Sequence, residues 1–214
     1  MELFGRYAKL TVGSPGESGR AWSSVIASDK PSSTGQSIRP FEEGLRITFS
    51  LSKSITREPN TGTITIYNLG PDSRSYAQTK GFEVILDAGY LNEGGSLIGA
   101  IYKAQTQLVY SKYEGTDYQT TFETGDGLKY MNGSVVNLAL GGKVSLIDTI
   151  KHLVTSMGAS IGVLKDVPDK TYPRGMVMSG PPVHYLDTLA ASYGLQWSIQ
   201  DGNFHMHGKD SYGP

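Results

Sequence analysis

Leu45-Arg46-Ile47-Thr48-Phe49-Ser50-Leu51, then Pro59-Asn60 and Thr61-Gly62-Thr63-Ile64-Thr65-Ile66-Tyr67, is the stretch whose reading decides the fold. In its first half Leu45, Ile47, Phe49 and Leu51 recur at every second position, and in its second half Ile64 and Ile66 do the same. A period of two lays one set of side chains along one face of an extended strand. The stretch therefore predicts two amphipathic strands, and it ends at the turn-rich Asn68-Leu69-Gly70-Pro71-Asp72-Ser73. Pro71 suits the first position of a short helix through Ala77, because the N–H it lacks would have no partner there.

The same period extends outward in both directions. Upstream, Ala8, Leu10 and Val12 alternate with Tyr7, Lys9 and Thr11 until Gly13-Ser14-Pro15-Gly16 breaks the pattern. Trp22 to Ala27 is a further candidate strand, followed by the polar Ser28 to Ser37. Downstream, Phe82 to Leu86, Ala88 to Tyr90, Leu97 to Tyr110 and Tyr118 to Glu123 read as strands, the last two split at Glu114-Gly115. Many short strands with frequent turns and one short helix predict a β-barrel or closed sandwich from residue 6 to about 130.

Near residue 140 the period changes. Leu146, Ile147, Ile150, Leu153, Val154 and Met157 fall at helical spacing, with Ser145 as N-cap, Asp148 three residues on, and Gly158 as the stop. A second helix is expected from Val183 to Tyr193, closed by Gly194. Leu195, Trp197 and Ile199, the turn Asp201-Gly202, and Phe204 and Met206 then spell a hairpin. Helix, glycine and apolar strand thus occur twice, a faint internal echo. The expected fold class is mainly β with a smaller α+β part: a barrel domain over 1–135 and a helix-strand-helix-hairpin unit over 136–214.

Bulk composition narrows the function. With 19 Lys plus Arg against 20 Asp plus Glu, the chain lacks the basic excess that coats nucleic acid. No cysteine is present, which excludes disulfides and thiolate chemistry. Charged residues make up only 18%, beside 27 glycines and 13 tyrosines, a mix that suits strands whose surfaces are covered by neighbours. No apolar run approaches the roughly 18 residues that span a bilayer. The opening Met1-Glu2-Leu3-Phe4-Gly5-Arg6 lacks a secretory pattern, so folding in a cytoplasm without stable membrane insertion is expected.

Chemistry is sparse. Gly141-Gly142-Lys143-Val144-Ser145 mimics the end of a phosphate loop, but Asn137 stands at the first glycine position and Val144 at the magnesium-ligand position; a turn into the helix is the simpler reading. His184, Asp187 and Ser192 are accidental triad ingredients, since a triad is recognised by geometry, and His152 falls on the solvent side of its helix. His205 and His207 share one strand face and could meet at a metal, although a polar face opposite Phe204 and Met206 is the simpler reading. Glu42, Glu43, Asp72, Glu83, Asp87 and Asp126 form no acid–base pair. The expectation is no enzyme, no catalytic residues, no cofactor and no metal.

Read in order, several segments resemble the baseplate (tail) hub proteins of contractile-tailed bacteriophages and related phage-like particles. Leu45 to Lys53 with Pro59-Asn60 and the strand ending Tyr67-Asn68-Leu69 is similar to that family's strand, Pro-Asn turn and strand. Leu86-Asp87-Ala88-Gly89-Tyr90, Leu97 to Ile101, Phe122 to Gly127, and Leu186 to Leu189 with Gly194 to Gly202 resemble its next landmarks, so the likeness covers roughly residues 6 to 207. One departure is the end: the family continues into a second barrel-like part, whereas this sequence stops at Ser211-Tyr212-Gly213-Pro214, as a short variant or with that part removed or supplied by another chain.

The resemblance implies a structural virion protein with a barrel related to that of tail-tube subunits. It implies a homo-oligomer, expected to be a trimer, that joins the tail tube protein to the central spike and other baseplate proteins, with the genome only passing through the lumen. Its expected place is the virion tail baseplate, assembled in the bacterial host cytoplasm. A tail-tube or distal-tail ring subunit is the nearest alternative. A carbohydrate-binding β module of a host-recognition protein is the alternative from another class, and would need exposed aromatics along a groove. In a ring, Ser28 to Ser37, with flanks Trp22 to Ala27 and Ile38 to Phe41, is expected to reach a neighbouring ring or protomer, because its own burial cannot offset the ~1–2 kcal/mol per residue that ordering costs.

Overall fold

The computed structural model describes residues 5–13, 19–26, 42–78, 82–92 and 95–209. The polar stretch Ser28 to Ser37, with Ala27 and Ile38 to Phe41, lies outside the described residues. The chain divides into two compact units: Met1–Leu51 with Thr61–Thr124, and Ser52–Asn60 with Gly125–Pro214. The division falls after Thr124, and a nine-residue excursion between two strands of the first unit belongs to the second.

The first unit contains β1 (Gly5–Gly13), β2 (Arg20–Ser23), β3 (Val25–Ile26), β4 (Glu42–Glu43), β5 (Ile47–Ser52), β6 (Thr61–Tyr67), α1 (Pro71–Ala77), β7 (Glu83–Asn92), β8 (Gly95–Glu114) and β9 (Asp117–Gly125). Seven strands form one sheet in the order β2-β1-β7-β8-β9-β6-β5. The expected closure is not found: among the described residues no ladder joins β2 to β5. Ser24 donates its N–H to the Ala8 carbonyl (2.8 Å), and its hydroxyl accepts the Ala8 N–H (2.8 Å). What crosses between the edges is the Gly44 N–H to the Ser24 carbonyl and the Leu45 N–H to the Ser23 carbonyl, each 3.0 Å. The two-residue pairing of β3 with β4 follows.

Alternation decides this core. Leu10 and Val12 from β1, Ile64 and Ile66 from β6, Val84 and Leu86 from β7, Tyr102 and Ala104 from β8, and Phe122 from β9 are buried together. Trp22 joins them, 6.4 Å from the Tyr76 ring and 6.3 Å from Phe122. Leu45, Ile47 and Leu51 pack against this core, but Phe49 is 41% exposed. The cause is position: β5 is an edge strand, and Phe49 lines an open groove of about 750 Å³ with Tyr7, Ala8 and Tyr90. A bulge opposite Leu86 and Asp87 leaves Ile101 without a partner on β7; Ile101 is exposed while Tyr102 is buried.

The second unit contains α2 (Leu128–Met131), β10 (Val136–Leu140), β11 (Val144–Ser145), α3 (Leu146–Met157), β12 (Ser160–Leu164), β13 (Thr171–Tyr172), β14 (Met176–Gly180), α4 (Pro182–Tyr193), β15 (Leu195–Gln200) and β16 (Asn203–Gly208). The sheet β12-β16-β15 and the ribbons β10-β14 and β11-β13 surround one core, which includes Ile150, Leu153, Leu186, Trp197 and Phe204. Ser145 caps α3 by accepting the Asp148 N–H (3.0 Å), and its hydroxyl donates to the Asp148 carboxylate (2.7 Å). Both long helices stop at left-handed glycines, Gly158 (φ 75°) and Gly194 (φ 65°), and each leads into a strand flanking β16. The expected class holds: mainly β with a smaller α+β part.

Candidate functional site

In the second unit, three turns far apart in sequence meet: Pro59-Asn60, Asp126-Gly127 and Gln200-Asp201-Gly202. Asp201 (φ 51°) and Gly202 (φ 84°) are both left-handed, the geometry of the expected type I′ hairpin turn. That turn points its amides at the Asp126 carboxylate. Oδ2 accepts the Asp201 N–H at 2.6 Å, and the Gly202 amide bonds to the same group. The Asn60 carbonyl accepts the Asp126 N–H (2.8 Å), and the Asn60 side-chain amide donates to Gln200 Oε1 (2.8 Å) and to Asp126 Oδ2 (3.4 Å). Asn60 Oδ1 in turn accepts the Ser54 N–H (2.8 Å), and Gln200 Nε2 donates to the Ser54 carbonyl (2.6 Å). The excursion Ser52–Asn60 is thereby laced to the hairpin turn.

The electrostatics of this cluster are unequal. Asn60 and Asp126 are buried, and Asp126 Oδ1 lies buried with no hydrogen-bond partner. Burial pushes the Asp126 carboxyl above the usual range, against the pull of the Asp201 amide and Asn60. Lys53 Nζ bridges both carboxylate oxygens of Asp201 (3.0 and 2.9 Å) at the surface, where such a pair adds little. A second tie runs from Arg57 to Asp187 (3.0 Å), which also accepts the Trp197 indole N–H (3.1 Å). With its carboxylate closed off from solvent, Asp126 positions backbone. It does not present an acid to a substrate.

The other singled-out residues go elsewhere. Asp187 is engaged by Trp197 and Arg57, the Ser192 hydroxyl donates to the Thr188 carbonyl (2.7 Å), and His184 meets Tyr185 edge-on. These are not the partners of a triad. His152 is exposed on its helix. Lys143 takes a left-handed turn (φ 66°) just before the α3 cap. His205 Nδ1 accepts the Val163 N–H (3.2 Å), while His207 Nδ1 sits 3.1 Å from the Gly208 carbonyl. His207 is buried, while His205 on the same face of β16 is half-buried. Among the described residues no group of three or more His, Cys, Asp or Glu side chains could hold a metal. Both tryptophans are buried, so neither lines an open face; Phe49 and Tyr90 are the aromatics exposed at the groove of the first unit.

The sequence named Asp126 only as a scattered carboxylate and Asn60 only as part of a turn. Their signal lay in the resemblance: the Pro-Asn, Asp-Gly and Gln-Asp-Gly turns that carry it are the ones that converge.

No protein-family model matches the chain, and no curated protein matches it in sequence. Solved structures share its fold. The 43 kDa tail protein of prophage MuSo2 from Shewanella oneidensis is similar at TM-score 0.55 and 10% identity, over 93% of this chain and 53% of that one. The tail protein from Neisseria meningitidis MC58 is similar at TM-score 0.54 and 13% identity, over 97% and 52%. Prophage tail protein gp18 from Listeria monocytogenes EGD-e follows at TM-score 0.51 and 9% identity, over 96% and 52%. The chain has a fold found in phage tail proteins, and it spans about half the length of each of these three.

Proposed function

We propose that the chain is a structural, non-enzymatic component of a phage tail or phage-like particle, and within it the baseplate hub that joins the tail tube to the central spike. The observation that carries this reading is that the likeness to tail proteins extends over both units, covering 93–97% of this chain. The converging turns support it, since three of the segments that resemble hub landmarks, at Pro59-Asn60, Asp126-Gly127 and Gln200 to Gly202, meet in one hydrogen-bonded cluster. The second unit favours a hub over a plain tube or distal-tail ring subunit, which has no evident use for an added α+β body. In this reading the first unit is the ring-forming, tube-related domain and the second is the hub domain. The partners are further copies of the chain, the tube protein, the spike and the surrounding baseplate. Low charge and many tyrosines suit surfaces covered by such neighbours.

The test is genetic depletion in the producing strain, followed by microscopy of the particles. Tubes and spikes that accumulate without joining, with joining restored by the wild-type chain, are the expected result. Complete, infectious particles of normal yield in the depleted strain would refute the role.

A further inference from the structure

β12 is held to β16 in an unusual way. The two run parallel, with Ser160 opposite Asn203, Ile161 opposite Phe204 and Leu164 opposite Met206. Two residues, Gly162 and Val163, therefore face the single residue His205, and the regular ladder is interrupted there. The side chain of His205 fills the interruption: its Nδ1 accepts the Val163 N–H at 3.2 Å in place of a backbone carbonyl. Gly162 makes room for it, because a Cβ there would lie 2.6 Å from His205 Cε1 and 2.8 Å from Nε2. An imidazole can accept at Nδ1 only when that nitrogen carries no proton. β12 is also the edge strand of its sheet, with Ile161 and Val163 exposed. Among the described residues β16 is its one neighbour in the sheet.

We propose that His205 makes β12 an acid-sensitive strand: a proton on Nδ1 removes the acceptor that holds Val163 and releases Gly162–Leu164 from β16. The groups around the ring set the response. Burial first, and then His207 on the same strand, oppose protonation, Asp201 in the preceding turn favours it, β12 itself contributes no titratable side chain, and Ser198 is the partner across on β15. The balance holds the ring below the ordinary histidine value of 6.5. The Lys165 N–H still reaches the Met206 carbonyl (2.9 Å) beyond the bulge, so release stays local.

The test is nuclear magnetic resonance on the full ¹⁵N-labelled chain, titrated from about pH 7.5 to about pH 5, across the range in which histidines change charge. The Val163 amide should shift with the midpoint of the His205 ring. Its exchange protection, corrected for intrinsic rates, should fall as pH drops from the ordinary histidine value of 6.5 toward that midpoint, by at most about tenfold per pH unit, and level off below it. Trp197 in β15 should stay protected. His205→Gln, whose amide oxygen accepts at any pH, should leave Val163 flat. A Val163 amide that ignores the His205 midpoint overturns the proposal, and so does an equal loss of protection in H205Q. The wild-type titration decides alone if that variant fails to fold.

Discussion

Asp126 gives one carboxylate oxygen to a turn and buries the other with no partner. Replacing it by alanine takes the shared acceptor from the Asp201 and Gly202 amides and from Asn60, and stranded buried donors cost about 1–3 kcal/mol. Urea unfolding of Asp126→Ala should report a loss of that order. The charge itself works the other way. Burial raises the folded-state pKa above the ordinary 3.8, so the native state binds the proton more tightly than the unfolded chain does. The resulting stability is fully present below 3.8 and is lost as pH rises through the raised folded value. Asp126→Asn keeps an acceptor for the turn and has no such titration. The stability of wild type relative to D126N should therefore fall as pH climbs from about 4 toward neutrality. A difference that is flat in pH would mean that Oδ1 finds a partner in solution.

Among the elements, β6 is packed most tightly where it carries no side chain. A Cβ on Gly62 would lie 2.8 Å from Leu51 Cδ2, 2.8 Å from Tyr102 Cε1 and 2.9 Å from Thr124 Oγ1, and the Thr124 hydroxyl bonds to the Gly62 carbonyl (2.8 Å). Overpacking of this kind costs about 1–3 kcal/mol, so Gly62→Ala should lower the unfolding midpoint of the first unit, read by the fluorescence of Trp22. Much at this scale was legible in the sequence. The alternation in β1 and β6, Pro71 at a helix start, Ser145 at a cap and Asp201-Gly202 in a turn are local signals, and each appears where it was read. β10 and β14 escaped, although Val136, Leu138 and Leu140 alternate, because each strand is short and gains a partner only about forty residues away. Alternation states that Phe49 shares a face with Leu45, Ile47 and Leu51, not whether anything covers that face; its exposure belongs to the groove at the edge of the sheet. The Asn60 cluster is invisible to periodicity, because its bonds join residues 66 and 140 positions apart; only the order of its turns in the resemblance pointed to it.

At the scale of the whole molecule, the sheet has two edges, and one hairpin exposes Tyr110, Tyr113 and Tyr118; these are the surfaces that the proposed assembly would cover. A net charge of −1 sets no long-range repulsion against stacking copies of such a chain. The proposed hub joins parts of different symmetry, and copy number is where it parts from a tube or distal-tail subunit. The most direct measurement is cryo-electron microscopy of the assembled particle, with this chain traced in the map. Three copies around the axis, at the junction of tube and spike, are the expected result. A six-membered ring within the tube, or a particle that lacks the chain altogether, would contradict the assignment as a hub.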